Sequence, residues 1–166
     1  MGNGGSASNA THFAADLGKT IIVGENKGIR AIPLSDNIPM ISAWVNDHGW
    51  SELYVGQMKT YFQPGDVAIA FSVHGGSGSE KAGAWSQNLL KGIQYAKDNG
   101  GKTIGFSGFD GGPLAKLADI GIVVPTNSTP QVEGMHCMLF HCIIFGIIER
   151  IADHTKAREQ GIVTRM

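Results

Sequence analysis

Cysteine is scarce in this chain, with only Cys137 and Cys142 among 166 residues. They lie five apart inside an apolar run, which is neither a CxxC pair nor the framework of a secreted disulfide protein, so a reducing, cytoplasmic setting is expected. An excess of charge of either sign is also missing. The 13 Lys and Arg against 14 Asp and Glu give a formal net charge of -1. That balance leaves no electrostatic footprint for a nucleic-acid backbone or an anionic membrane surface, so neither is expected as a partner. The longest apolar stretch, residues 137–148, is interrupted by His141 and is too short to span a bilayer, and the N-terminus carries no signal-peptide pattern. Internal repeats and domain linkers are absent too. What remains is one domain with 42% hydrophobic residues, large enough to bury a core and suited to a small, locally recognised ligand. Glycine is the abundant residue, at 24, and it gathers in short tracts that suggest tight turns against a ligand.

Four short segments rich in β-branched residues read as buried strands: 29–34, 67–72, 103–107 and 120–124. Helical stretches lie between them. One covers 6–17, with Ser6 as its cap and Gly18 as its stop; another covers 80–99 and ends at Gly100 and Gly101. Strands alternating with helices predict a three-layer α/β/α sandwich around a mostly parallel sheet. The segment 130–153 is apolar on nearly every side, which predicts a buried helix and an oligomer core. Residues 1–153 form the expected domain, and 154–166 the expected polar, frayed tail.

Two glycine-rich segments are candidate anion sites. In the first, Asn3, Gly4, Gly5 and Ser6 lead directly into a helix, whose amides and positive end favour an anion. It lacks the lysine of a nucleotide P-loop, and a flexible terminus with a capping serine is the plainer alternative. The second, residues 72–79, follows a strand and offers Ser72, His74 and Ser77 where α/β sheets bind phosphates. An ordinary Gly/Ser loop would read the same.

His12 and Asp16 share one helix face, and Glu133 and His141, about two turns apart, share another. Two imidazoles and two carboxylates suit general acid/base pairs or the ligands of a zinc-like metal. The alternatives are a surface ion pair for the first two and a satisfied core histidine for His141. Cys137, one turn before His141, reads as a small core residue.

These segments in this order resemble the SIS (sugar isomerase) domain, and within it the phosphoheptose isomerase group. The resemblance rests on residues 2–7, the His12-Phe13-Ala14-Ala15-Asp16-Leu17 helix, Asn46-Asp47, the 72–77 loop, Asp110-Gly111-Gly112, and 128–133 running on to His136 and His141. It implies a SIS-type, flavodoxin-like fold and a homotetramer with active sites at subunit interfaces. It further implies aldose–ketose isomerisation of a phosphorylated sugar, sedoheptulose 7-phosphate in the first instance, through an enediol. By the same resemblance Asp16 is the base and His141 the acid. A divalent metal, zinc foremost, would sit on His12, Asp16, Glu133 and His141. Ser6, Ser72, Ser77 and Thr129 would hold phosphate, and Asp47 would meet sugar hydroxyls.

The chain departs from that pattern at several places. Asp16 stands where the family has glutamate, Glu133 where it has glutamine, and His74 where a serine is common. Residues 78–85 look inserted, and the family's N-terminal helix and first strand are not seen before Met1. A second reading of the same residues is a non-catalytic sugar-phosphate-binding or regulatory SIS protein, of the kind that binds a replication initiator.

Overall fold

The computed structural model describes residues 1–76 and 85–160. Its elements are α1 (Gly5–Ala15), a π-helical turn (Asp16–Thr20), α2 (Ile38–His48), a 3-10 turn (Trp50–Glu52), α3 (Leu53–Tyr61), β1 (Val67–Ser72), α4 (Gln87–Asp98), β2 (Lys102–Gly108), α5 (Gly112–Leu117), β3 (Ile120–Val124) and α6 (Thr129–Glu159). The strands pair in parallel in the order β1-β2-β3, with Phe71 beside Phe106 and Phe106 beside Ile122. Helices α4 and α5 make the crossovers that parallel neighbours require.

Period-two alternation along the strands divides the core into two layers. Ala68 and Ala70 of β1 face a cluster containing Leu53, Tyr54, Met58, Leu89, Ile93 and Leu114. Phe71 and Phe106 point the other way, into a cluster with Phe13 of α1, Leu17 of the π turn, and Phe140 and Ile144 of α6. The Phe71 and Phe106 rings stack with centroids 4.5 Å apart, and Phe13 stacks on Phe140 at 5.2 Å. Both faces of the sheet are covered by helices, so the chain is the expected α/β/α sandwich.

Three of the four expected strands form, and residues 29–34 do not. Pro33 has no N–H to give a ladder, and Ile29 and Ile32 are exposed. The free edge of β1 is instead occupied by the chain start: Met1 N donates to Ile69 O at 2.8 Å, Phe71 N donates to Met1 O at 2.9 Å, and Gly2 bridges Phe71. Burial pushes the Met1 amine down to about 5.

Helix boundaries also differ from expectation. The first helix does not stop at Gly18 but winds through it as a π turn, and the backbone of Gly28 packs directly on the Gly18 carbonyl. Ser6 lies one residue inside α1 and is buried, and Gly4 occupies the cap position at φ 58°. Among the described residues α4 begins only at Gln87, and it ends, as expected, just before Gly100. Two helices were not foreseen. Asn37 caps α2 through its side chain, accepting from Met40 N at 3.1 Å, and α3 is buried over most of its length.

The last helix runs on to Glu159, past the expected end, and only one side of it is covered. Val132, His136, Phe140 and Ile144 are buried, whereas Met135, Met138 and Phe145 are exposed in the single chain. The stretch Thr129–Ala157 is long and apolar enough, by length and composition, to cross a bilayer, which corrects the estimate of its length made from residues 137–148. Here that stretch packs on the sheet and α1 and carries the polar side chains Glu133, His136 and His141.

Candidate active site

A cavity of about 140 Å³ opens at the carboxyl end of β1, lined by Asn3, Ser6, Ser72, His74, Trp85 and Ser86 among others. The starts of α1 and α4 both border it, so the positive ends of two helix dipoles meet at one space. Two of its hydroxyls are close together, Ser72 Oγ lying 3.3 Å from Ser86 Oγ, and the buried Ser6 belongs to the same lining. Asn3 is held in place by a reciprocal pair of hydrogen bonds with the fully buried Asn88, at 2.8 and 3.0 Å.

The floor of the loop after β1 depends on two glycines. At Gly75, φ is +67° and a Cβ would lie 1.9 Å from the Gly111 carbonyl oxygen; at Gly112, φ is +55° and a Cβ would lie 2.3 Å from His74 O. This close approach brings His74 onto Phe109, with ring centroids 4.2 Å apart, and Phe109 itself has a positive φ of 54°.

The second group lies between α1 and α6, which align with Gly5 opposite Glu133 and His12 opposite Phe140 and His141. Asp16 Oδ2 is 3.7 Å from His12 Nε2 and 3.4 Å from His141 Nε2. Its other oxygen accepts from Thr20 Oγ1 at 2.7 Å, a contact made across the π turn. Oδ2 is buried and has no hydrogen-bond partner among the described residues. Cys137 Sγ stands 3.9 Å from His141 Nδ1, and donor atoms of His12, Cys137 and His141 all lie within 4.8 Å of one another.

Not every expected site residue meets these two groups. The Glu133 carboxylate packs against Gly5 at the start of α1, about two helical turns from the level of His141. Asp47 is exposed on α2 and accepts from Asn46 at 2.7 Å, and Thr129 is exposed at the start of α6; neither lines the cavity. Ser77 lies outside the described residues, as does most of the apparent insertion. Ser86 escaped notice in the sequence because the α4 helix was expected to begin earlier; a serine just before Gln87-Asn88-Leu89-Leu90 is itself a helix-start signal.

His136 is fully buried and serves the core. Its Nε2 lies 3.0 Å from Ser107 O, so a neutral ring donates there and leaves Nδ1 bare, and burial lowers its pKa.

No family model matches the chain. Over 146 residues it is 42% identical to the lincomycin biosynthesis protein LmbN of Streptomyces lincolnensis, covering 86% of this chain and 52% of LmbN, so it spans about half the length of that relative. Over 153 residues it is 39% identical to the phosphoheptose isomerase of Helicobacter pylori strain P12, covering 92% of this chain and 74% of the relative. The solved phosphoheptose isomerase of Neisseria gonorrhoeae superposes with a TM-score of 0.75 at 27% identity, covering 89% of this chain and 73% of that one.

Proposed function

This chain belongs to the phosphoheptose isomerase family, and on that premise we propose that it interconverts sedoheptulose 7-phosphate and the corresponding aldoheptose phosphate through an enediol. The observation that carries this reading is the Asp16 carboxylate set between two imidazoles, on the helix whose start borders the anion cavity. Isomerisation moves one proton between adjacent carbons and one between adjacent oxygens, so it needs a base and an acid on one substrate. Asp16 takes the proton from the carbon beside the carbonyl, and Thr20 holds that carboxylate in position. His141 supplies the proton to the carbonyl oxygen. Ser6, Ser72 and Ser86, at the positive ends of α1 and α4, hold the phosphate.

A divalent ion fits the same place. Two imidazoles, a thiol and an underused carboxylate oxygen are a donor set of the kind zinc takes. When bound, such an ion polarises a carbonyl and steadies an enediolate. His12 and His141 would hold it with Asp16 beside them, and Glu133 stands apart at Gly5.

The working unit is proposed to be a cytoplasmic homotetramer with active sites at its interfaces. The exposed apolar side chains of α6, Met135, Met138 and Phe145, support it, since one chain leaves them in water. The test of function is direct turnover of sedoheptulose 7-phosphate beside a panel of smaller sugar phosphates. Turnover of the heptose with loss of at least about 100-fold in Asp16→Asn supports the reading; no turnover of any sugar phosphate refutes it.

A further inference from the structure

We infer that His74 is the cation of the anion cavity: it takes up a proton from solvent when a doubly charged phosphate group binds, so the affinity of the site for dianions falls as pH rises. The inference rests on the reading of the cavity at the end of β1 as the phosphate site, and it holds whichever sugar carries the phosphate.

The charge balance of the cavity calls for such a group. A phosphate monoester brings about 1.5 to 2 negative charges at neutral pH. The positive ends of α1 and α4 each count for roughly half a unit charge, about one together. A negative charge is then left over in a partly enclosed space, where an uncompensated charge is costly. Among the described residues that line the cavity, His74 is the only one whose side chain can carry a positive charge; the others are hydroxyl, amide and apolar side chains. The charged groups on the surrounding elements are engaged or turned elsewhere. Asp110, on the loop that carries Phe109, accepts from Gly112 N at 3.2 Å, and the Glu133 carboxylate of α6 packs against Gly5. Lys91 of α4 is paired with Glu52 at 2.6 Å, Lys116 of α5 is exposed, and His12 and Asp16 lie farther along α1 beside His141. None of these lines the cavity.

The setting of the ring suits a cation. Phe109 stacks on it with centroids 4.2 Å apart and planes 27° from parallel, and the Trp85 ring meets it at 5.3 Å and 68°. An aromatic face attracts a positive charge within about 6 Å of its centroid. Stacking uses the face of the imidazole and leaves both in-plane N–H groups of the protonated ring for oxygen acceptors. The ring is also held in place. Leu114 N donates to Gly75 O at 2.8 Å, and Phe109, at its positive φ of 54°, donates its N–H to Thr126 O at 3.2 Å. Imidazole is the side chain whose ordinary change of charge falls between about pH 5 and 8. By linkage, a dianion and a proton that meet on it strengthen each other's binding by the same factor.

The test is binding of inorganic sulfate to the full-length protein by isothermal calorimetry, since sulfate stays doubly charged across the range and any proton taken up goes to the protein. Between about pH 8.5 and about pH 6 the Kd of the wild type should fall about tenfold, with a binding heat that varies with the ionisation enthalpy of the buffer. His74→Gln should lose this pH dependence, and His74→Lys should bind at both pH values about as tightly as the wild type does in acid. Proton NMR reads the same event without a variant. The imidazole signal with Overhauser contacts to the Phe109 and Trp85 rings should titrate at higher pH in sulfate than in chloride. Equal wild-type affinity at the two pH values, no sulfate binding at either, an unmoved imidazole titration, or an undiminished pH dependence in His74→Gln overturns the inference. Sedoheptulose 7-phosphate turnover on the same wild-type samples separates the two ideas: turnover with pH-independent sulfate binding removes only the role of His74, and proton-linked sulfate binding without turnover removes only the isomerase.

Discussion

Asp16 Oδ2 lies 3.4 Å from His141 Nε2, joining the end of α1 to the middle of α6 through two groups of opposite chemical role. The pair exists because the two helices lie side by side on one face of the sheet, with Phe13 stacked on Phe140 beneath it. The proposed acid/base pair therefore sits on packed helices.

Thr20 fixes the rotation of this carboxylate through the 2.7 Å bond to Oδ1. Thr20→Val keeps the shape and removes the donor. Its turnover should fall about tenfold, in kcat more than in KM, while unfolding free energy changes by about 1 kcal/mol. Steady-state kinetics and urea unfolding on the same sample check this. Unchanged kcat would remove Thr20 from the site.

Ser86→Ala should weaken binding of the phosphorylated sugar by about 1 kcal/mol, since its hydroxyl shares the cavity with Ser72 at 3.3 Å. The unphosphorylated sugar should bind the variant and the wild type alike. Isothermal calorimetry on both ligands gives the comparison, and equal losses for the two would move Ser86 away from the phosphate.

Gly75→Ala should be among the most damaging small substitutions in the chain. The added methyl meets the Gly111 carbonyl at 1.9 Å on a backbone at φ +67°, and the loss should be on the order of 2–3 kcal/mol or more. A melting temperature within a degree or two of the wild type would contradict that close approach.

His136 predicts a pH dependence of stability. Burial lowers its pKa in the fold below the ordinary 6.5, so the unfolded chain takes up the proton more readily. The contribution is fully present above 6.5 and is lost as pH falls through and below that value. Urea unfolding between mildly alkaline conditions and about pH 5 should show the decline, and His136→Gln should flatten it. A decline of the same size in the variant would assign it to other groups.

Much of this arrangement is legible in the sequence, and the failures have physical causes. Strands β1, β2 and β3 were visible because each is a short apolar run between turn signals. Residues 29–34 have the same composition, yet Pro33 and the pairing of Met1 and Gly2 with β1 keep them out of the sheet. The His12–Asp16 and Asp16–His141 contacts follow from helix periodicity plus one interhelical packing. Glu133 satisfies the same periodicity, but its carboxylate packs at Gly5. Cys137, read as a small core residue, does pack on the cluster between the sheet, α1 and α6, but composition could not show that its sulfur would also stand 3.9 Å from His141 Nδ1.

The central claim is that Asp16 moves a proton between adjacent carbons of a phosphorylated heptose. The most direct measurement is proton NMR of sedoheptulose 7-phosphate incubated with the protein in deuterated water. The account predicts an aldoheptose phosphate product, with solvent deuterium entering at the carbons that exchange the proton, and neither signal with Asp16→Asn. Tight binding of the sugar with no product and no deuterium incorporation in the wild type would contradict it.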